Sequence, residues 1–485
     1  MQFDDLADFL ATLEDAGELA RVKVEVDPVM EIAEITDRIC DSPQGGPAIL
    51  FENVRGSTFP VVVNLLGNER RQALALRANS LDEAAEKIEQ VLHPELPETW
   101  LGSLKLIPQL AQLTKLPPKI VKTAASQQVV KVGRDVDLRE LPLLQNRPLE
   151  TSPSLTSGQV FTVNPETSVR DISVGLFSMR DQNSLHVHWH PQDDAWRNFL
   201  AYRKAGKQMP VAIALGGDPV MPIIAAAPLP YETDGCLLAG FLREKNVELV
   251  KARGIPIEVP ASADVILEGL IDVEADSVRS GPVALPTGFY SESEATPILN
   301  ITAITHRSNP VVPAMIHGTP PGEKNRIDTA IERLMLPIIN IFLPEILDFH
   351  LPSSGAASNV VFVKIHKQYP QQARKVMSAL WGMKGFSTAK ILIVVDEDVD
   401  IRNESEVWFH VAANVHPGRD TSLMDGPANH SDHAAPERGT GRKLGIDATR
   451  KLPEEGHPRE WPEETRMTSR IRDLVGRRWQ EYGLS

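Results

Sequence analysis

The sequence predicts an α/β (α+β) protein in three consecutive parts, with a strand-rich middle between two regions that mix helices and strands. The chain has 485 residues, which is too long for one ordinary hydrophobic core. Its hydrophobic periodicity changes from helical to short-strand near Gln127 and returns to helical near Arg326. Hydrophobic residues make up 42% and charged residues 24% of the chain, which excludes disorder for most of it.

The first part reads as a small α/β unit of about 120 residues. Leu6, Phe9, Leu10 and Leu13 recur at helical spacing, and Gly17 follows as a stop signal. The other predicted elements of this part are a helix over 31–40, the strand-like runs AILFENV and PVVVNLLG, and a helix over 81–91.

The middle part consists of short strand-like runs separated by turn residues. Many short strands at this spacing indicate a barrel or a sandwich. The runs are VVKVGRDVDL, GQVFTVNP, DISVGLFSMR, SLHVHWH, PVAIALG, EVPASADVILEGLIDV and ATPILNITAITHR.

The last part returns to an α/β pattern. Helices over 326–349 and 371–381 alternate with the strands NVVFVKI and AKILIVVDEDVD. A final amphipathic helix over 467–482 has Ile471, Leu474 and Trp479 on one face. Such a helix docks either on a neighbouring subunit or on its own domain.

Charge and cysteine content restrict the possible partners and the compartment. Lys and Arg number 50 and Asp and Glu number 65, so the net charge is −15, which argues against nucleic acid and anionic membranes as partners. Two cysteines make no disulfide framework and fit a reducing cytoplasm. The start lacks the pattern of a signal peptide. The apolar stretch LMLPIINIFLPEIL is shorter than a membrane span and predicts a core helix.

Several long stretches, in order along nearly the whole chain, resemble the UbiD family of decarboxylases. They include AGELARVKVEVDPVMEIAEITDRI, PVAIALGGDPV, VPASADVILEGLID, PILNITAITHRSNPVVPA, AKILIVVDEDVDIRNESEVWFHVAANVHPGRDT and GRKLGIDATRK. The resemblance implies an N-terminal α/β domain (1–120), a split β-barrel that binds prenylated FMN (121–318), and a C-terminal α/β domain with an oligomerisation helix (319–485).

The resemblance also implies chemistry and partners. Family members form homodimers or hexamers, and some contain a second UbiD-like subunit. They decarboxylate small aromatic or α,β-unsaturated carboxylic acids reversibly. Their modified flavin forms an adduct with the substrate, and the protein supplies an Arg, two acidic residues and a divalent-metal site, such as Mn²⁺, at the cofactor phosphate.

The family's catalytic positions are substituted in this chain. Its first motif, N-x-(G/S)-(I/M)-(Y/A)-R, supplies a metal-binding Asn and a catalytic Arg. The matching segment is Ser173-Val174-Gly175-Leu176-Phe177-Ser178. A serine hydroxyl cannot hold a carboxylate as a guanidinium does. Arg180 would share a strand face with Ser178 and is a candidate replacement.

The acidic motif is altered in the same way. The family pattern E-G-P-x-G-(E/D) is matched by Ser280-Gly281-Pro282-Val283-Ala284-Leu285, so Ser280 and Leu285 replace both acids. Leucine transfers no proton. The cofactor phosphate is assigned to the strand of Trp189 and to Arg442 and Lys443, with backbone amides of Val174 to Phe177. The loss of the metal Asn and Glu predicts flavin binding that depends little on Mn²⁺.

Three histidines alternate in the run LHVHWH. His186, His188 and His190 would all face one side of a strand, spaced about 6.5 Å apart. Imidazole pairs of this kind bind Zn, Mn or Fe, and Glu232 is a nearby carboxylate candidate. The other interpretation is a solvated or hydrogen-bonded strand face. His430 and His433, in NHSDH, are interpreted as a metal pair or as a solvated loop.

Three functions follow from these observations. The first is a UbiD-like decarboxylase or carboxylase that uses prenylated FMN with a rebuilt acid–base set. The second is a non-catalytic UbiD-like subunit. The third is a metal-dependent enzyme centred on His186, His188 and His190.

Overall fold

The computed structural model describes residues 3–92, 116–463, 465 and 467–483. The stretch 93–115, just before the predicted domain boundary at 120, lies outside the described residues. In the described part of the chain, no helix is both long and apolar enough to cross a membrane.

The N-terminal region is a four-stranded sheet covered by helices. Three of its strands come from this region. The fourth is a short strand from the end of the middle region, Val312–Pro313, which pairs with the third and completes the sheet. The predicted helices at 6–15 and 31–40 are present. The elements are α1 Leu6–Asp15, β1 Leu19–Val26, α2 Glu31–Cys40, β2 Ala48–Val54, β3 Val61–Val63, α3 Glu69–Ala75 and α4 Leu81–Leu92.

The middle region is a closed six-stranded antiparallel barrel, which confirms the barrel rather than the sandwich. Its strands run in the order β12-β9-β6-β7-β8-β15, and pairing of β15 with β12 closes the ring. The elements are β4 Lys119–Val121, β5 Val129–Val132, β6 Ser154–Val163, β7 Arg170–Asp181, β8 Ser184–Val187, α5 Asp194–Lys204, β9 Met209–Leu215, α6 Val220–Ala226, α7 Gly235–Leu242, β10 Glu248–Lys251, β11 Glu258–Pro260, β12 Val265–Ile271, β13 Val278–Arg279, β14 Ala295–Thr296, β15 Ile298–His306 and β16 Val312–Pro313.

Alternation along the strands separates the barrel interior from its outer face. Phe177, Leu185 and Val187 belong to the buried hydrophobic cluster of the barrel, whereas Phe161 and Ile172 belong to the cluster shared with the surrounding helices. Because strand side chains alternate between faces, Leu176, Ser178 and His186 lie on the outer face, and His188 contacts Ser178 there. The candidate site is therefore outside the barrel.

The C-terminal region is a mixed five-stranded sheet in the order β17-β18-β19-β21-β20. The predicted helix over 326–349 is wrong at its end: the helix ends at Asn340, and the chain forms a strand from Ile346. Pro344 lies between them and disfavours helical backbone before it. The elements are α8 Glu323–Asn340, β17 Ile346–His350, β18 Val360–Ile365, α9 Gln372–Trp381, β19 Ile391–Asp396, α10 Glu404–Asn414, α11 Pro417–Asp420, β20 Thr421–Pro427, β21 Thr440–Asp447 and α12 Ser469–Arg477.

The final helix, α12, has no buried residue in the single chain. Ile471, Leu474 and Trp479 are 38%, 40% and 48% exposed. A role of this helix in a homodimer or hexamer remains a prediction.

Glu323, at the start of α8, is expected to make stability depend on pH. Its carboxylate accepts a hydrogen bond from the amide of Leu66 at 2.7 Å, but burial raises its pKa from 4.5 to about 7. Between these values the unfolded chain ionises while the folded chain keeps the proton, so wild-type stability falls as pH rises. We compare the free energy of unfolding of Glu323→Gln with that of wild type. This difference should shift in favour of the variant by about 2 to 3 kcal/mol between pH 5 and pH 8. Urea unfolding at both pH values measures it, and an equal difference at both would contradict the prediction.

Candidate active site

Strand β7 carries the segment that was matched to the first family motif. The ring of Phe177 is fully buried in the barrel and meets the Trp189 ring edge-on at 6.5 Å between centroids. A Cβ on Gly175 would lie 2.5 Å from the Phe177 ring and 2.6 Å from a methyl of Val160, so this position requires glycine. Phe177 and Trp189 are therefore barrel-core residues, and Leu176 and Ser178 face the site.

Ser178, His188 and Ser280 form a buried hydrogen-bonded cluster. The Ser178 hydroxyl lies 2.9 Å from His188 Nε2 and 3.3 Å from the Ser280 hydroxyl. The three residues are 1%, 6% and 3% exposed. The two serines that the sequence motifs place at the family's Arg and first acid thus contact each other, and His188 is within reach of Ser178. A hydroxyl between a histidine and a second hydroxyl can relay a proton.

Glu294 approaches the same histidine from the opposite side. Its carboxylate lies 3.9 Å from His188 Nδ1, 3.5 Å from His430 Nε2 and 2.5 Å from the Arg438 guanidinium. Burial raises the pKa of Glu294, but the nearby imidazoles of His188, His430 and His190 and the charge of Arg438 outweigh it. The pKa is held well below its usual range. Glu294 is therefore an ionised carboxylate beside three imidazoles.

A cavity of about 290 Å³ lies against this cluster. Leu285, which the sequence motif places at the second family acid, lines it together with Leu176 and Val283. His188, Glu294 and further polar side chains line it too and are called its ionisable wall here. The cavity thus combines apolar and ionisable lining, as a site for an amphiphilic small molecule does.

Arg180, the candidate replacement for the family arginine, is exposed. The pairing of β7 with β8 shifts between Met179 and Asp181, so Arg180 lies at an irregular point of the strand. Its role as a replacement for the family arginine stays a prediction.

The histidines of LHVHWH alternate with Leu185, Val187 and Trp189 but have different partners. His186 Nδ1 lies 3.0 Å from the Thr296 hydroxyl, His188 contacts Ser178, and the His190 ring stacks on His430 with centroids 4.2 Å apart. Glu232 is exposed and lines another, smaller cavity. The structure therefore does not bring His186, His188, His190 and Glu232 together around one metal position.

Arg442 and Lys443, the basic pair predicted to bind the cofactor phosphate, lie in different environments. Arg442 is 63% exposed and pairs with Asp425 at 2.8 Å. Lys443 is buried, donates to the carbonyl of Ser387 and lies over the Trp381 ring. Adjacent residues of a strand point to opposite faces, so Arg442 and Lys443 do not act at one site.

A different group of polar residues lies around Ser173. Its hydroxyl is 3.3 Å from a carboxylate oxygen of Asp171. Burial and the neighbouring Asp194 carboxylate raise the pKa of Asp171 to about 7, and Asp194 accepts a bond from Lys384. Carboxylate and hydroxyl oxygens are ligands that hard divalent cations prefer, so these residues could hold a metal ion.

Sequence reasoning missed several of these residues. Glu294, Arg438 and Asp194 carry no local signal, because they reach the site from loops and helices remote in the sequence. Only His430 had a signal, in the NHSDH run, where the metal interpretation pointed to a pair with His433.

Three family models match successive parts of the chain. They describe the N-terminal, Rift-related and C-terminal domains of 3-octaprenyl-4-hydroxybenzoate carboxy-lyase and match residues 10–91, 119–320 and 326–448. An uncharacterized protein of Aquifex aeolicus is 40% identical over 483 residues, covering 100% of this chain and 99% of that protein. The chain belongs to the UbiD family. An uncharacterized protein of Archaeoglobus fulgidus is 37% identical over 485 residues, covering 99% of each chain.

Solved UbiD-class enzymes share the fold. The vanillic acid decarboxylase of Sedimentibacter hydroxybenzoicus, in closed form, superposes with a TM-score of 0.88 at 24% identity, covering 99% of this chain and 100% of that chain. The UbiD-class enzyme HmfF of Pelotomaculum thermopropionicum, in complex with FMN, has a TM-score of 0.77 at 25% identity, covering 95% of this chain and 97% of that chain. An evolved dimeric form of HmfF, in complex with prenylated FMN, has a TM-score of 0.77 at 24% identity, covering 96% of this chain and 97% of that chain.

Proposed function

We propose that this protein is a prenylated-FMN-dependent decarboxylase, or reversible carboxylase, of a small aromatic or α,β-unsaturated carboxylic acid. We further propose that Ser178, His188 and Glu294 replace the acids used by its relatives. The 2.9 Å contact between Ser178 Oγ and His188 Nε2, beside the cavity lined by Leu285, carries this proposal.

The cofactor proposal is supported by the similarity to HmfF, whose solved structures hold FMN and prenylated FMN. The slot next to β7, lined in part by Ser157, Val174, Pro222, Ala226 and Met315, has a volume of about 40 Å³, so it would have to widen to admit the ring system. Prenylated FMN, when bound, supplies an electrophilic ring that accepts the electron pair left by departing CO2. We assign its phosphate to the Ser173 end of β7.

The protein's own residues then manage the proton. Decarboxylation breaks the bond to the carboxyl carbon, and the remaining carbon must receive a proton. His188 would hold that proton at Nε2 and pass it through the Ser178 hydroxyl, while ionised Glu294 stabilises the charged imidazole. Leu285 and Val283 exclude water from the same cavity.

Flavin titration with and without Mn²⁺ tests the cofactor assignment. From the sequence, binding is expected to depend little on Mn²⁺, but Asp171 and Asp194 would repel a phosphate unless a cation lies between them. We therefore expect Mn²⁺ to tighten FMN binding by about tenfold or more, which is at least 1.4 kcal/mol. Asp171→Asn should abolish this gain.

Two cation variants complete the flavin experiment. Lys384→Met should weaken FMN binding further, because it removes the cation next to Asp194. Arg442→Gln is the matched control, since that side chain is exposed and paired with Asp425, and its affinity should stay within about twofold. Equal losses in the two variants would contradict the phosphate assignment.

The second candidate function is a non-catalytic UbiD-like subunit. The observation that favours it is the simultaneous loss of both family acids, at Ser280 and Leu285. Expression together with a flavin prenyltransferase separates the two candidates. Purified protein without flavin absorbance, and without measurable affinity for FMN, would make the non-catalytic subunit the better conclusion.

A further inference from the structure

Three metal-ligating side chains from separate parts of the chain meet at one wall of the 290 Å³ cavity. His190 follows β8, Glu294 precedes β14, and His430 follows β20. Each offers one ligand atom, and these atoms all lie within 4.8 Å of one another. Among the described residues, this is the one group of three His, Cys, Asp or Glu side chains close enough to hold a metal ion.

We propose that His190, Glu294 and His430 bind a divalent transition metal of the Zn²⁺ type. Two imidazole nitrogens and one carboxylate oxygen form the ligand set of zinc sites that keep a fourth position open. Imidazole ligands disfavour Mg²⁺ and Ca²⁺, which prefer oxygen. The site is distinct from the oxygen-rich group around Ser173, which we assign to the cofactor phosphate.

One separation is already close to that of a zinc site, and the others are within 4.8 Å. His430 Nε2 and Glu294 Oε2 are 3.5 Å apart, and two ligands of a tetrahedral zinc ion at about 2.0 Å are separated by about 3.3 Å. The buried Nδ1 atom of His190 has no hydrogen-bond partner, although buried polar atoms are normally paired. A bound ion would provide that partner.

Arg438 is the competing cation. It pairs with Glu294 at 2.5 Å but also with Glu292 at 2.7 Å, and its side chain is 35% exposed. It can therefore release the Glu294 oxygen to the metal and keep an acidic partner.

The site would connect the barrel to the C-terminal region. His190 and Glu294 belong to the barrel segment, whereas His430 lies in the loop between β20 and β21. The open ligand position would face the cavity, where a water molecule or a carboxylate oxygen completes the coordination. The ion would thus lie at the cavity lining and share Glu294 with the proposed proton relay, whereas His190 and His430 belong to the metal site alone.

Metal content of the full-length protein tests the proposal without an activity assay. The protein is stripped with chelator and dialysed against Zn²⁺ with excess Mg²⁺, which occupies oxygen-rich sites. We expect about one Zn²⁺ per wild-type chain and less than about a fifth of that in His190→Ala and His430→Ala. The control is His433→Ala, an exposed histidine three residues away, which should keep the full amount.

A spectroscopic measurement on wild-type protein tests the site even where the variants fold poorly. Co²⁺ bound by wild-type protein should give the visible absorption of a four-coordinate site, and Zn²⁺ should displace it. Wild-type protein that holds no Zn²⁺ and shows no such absorption would overturn the proposal. So would folded His430→Ala with unchanged zinc, or equal losses in His430→Ala and His433→Ala.

Discussion

His188→Gln is expected to lower kcat by about 10²- to 10⁴-fold, the usual loss when a positioned acid–base group is removed. Glutamine keeps a hydrogen-bonding side chain beside Ser178 but cannot exchange a proton at neutral pH. The variant should still bind flavin, because His188 belongs to the ionisable wall and not to the slot next to β7. Wild-type holoenzyme is first tested on a panel of aromatic and α,β-unsaturated carboxylic acids to find its best substrate. Turnover of that acid is then measured for both enzymes, either as decarboxylation or as exchange with ¹³C-bicarbonate.

His186→Gln is the matched control for this experiment. His186 lies two residues earlier, on β8, and is also buried, but it bonds to Thr296 and not to Ser178. Its kcat should stay within about threefold of wild type, since it is outside the proposed relay. A His188→Gln enzyme as active as His186→Gln would remove His188 from the mechanism and leave the family membership untouched.

Arg71→Met is expected to cost about 3 to 5 kcal/mol of the free energy of unfolding, the loss typical of breaking a buried ion pair. Arg71 is fully buried in the N-terminal region. Its guanidinium donates to Glu18 at 2.7 Å and to the carbonyls of Leu65, Gly46 and Asn64 at 3.1, 2.8 and 3.1 Å. Methionine fills much of the volume but leaves all of these acceptors without their donor.

Arg70→Met provides the comparison, because Arg70 pairs with the same Glu18 carboxylate at 3.0 Å but is 63% exposed. An exposed pair contributes at most about 1 kcal/mol, so this variant should unfold close to wild type. Urea denaturation followed by circular dichroism measures both. If both variants lost similar amounts of the free energy of unfolding, the pairing with Glu18, and not the burial of Arg71, would account for the loss.

The two large effects have different origins. Arg71 acts on stability through carbonyls that its own region supplies, so its loss should leave the geometry around Ser178 intact in whatever protein remains folded. His188 acts on turnover, and its replacement should change stability little. Measuring flavin affinity and unfolding for both variants separates a catalytic loss from a folding loss.

The amino-acid pattern alone was sufficient for the fold class and for the elements with strong periodicity. The helices at 6–15 and 31–40, the short strands of the middle and the three-part order all follow from local spacing of apolar residues, which is a property of neighbours in the chain. Family membership was likewise evident, because it is distributed over long segments. The match of Ser178, Ser280 and Leu285 to the family's catalytic positions rests on sequence motifs alone and stays a prediction.

Only the tertiary structure decided what those substitutions mean for the site. Ser178 and Ser280 are 102 residues apart in the chain yet 3.3 Å apart in the fold, and Glu294 and His430 reach the same cavity from two different regions. Alternation along β21 also separated Arg442 from Lys443, which the sequence had grouped at one site. The barrel closes through pairing of β12 with β15. Long-range contacts of this kind depend on how whole elements pack, so no spacing within a short segment encodes them.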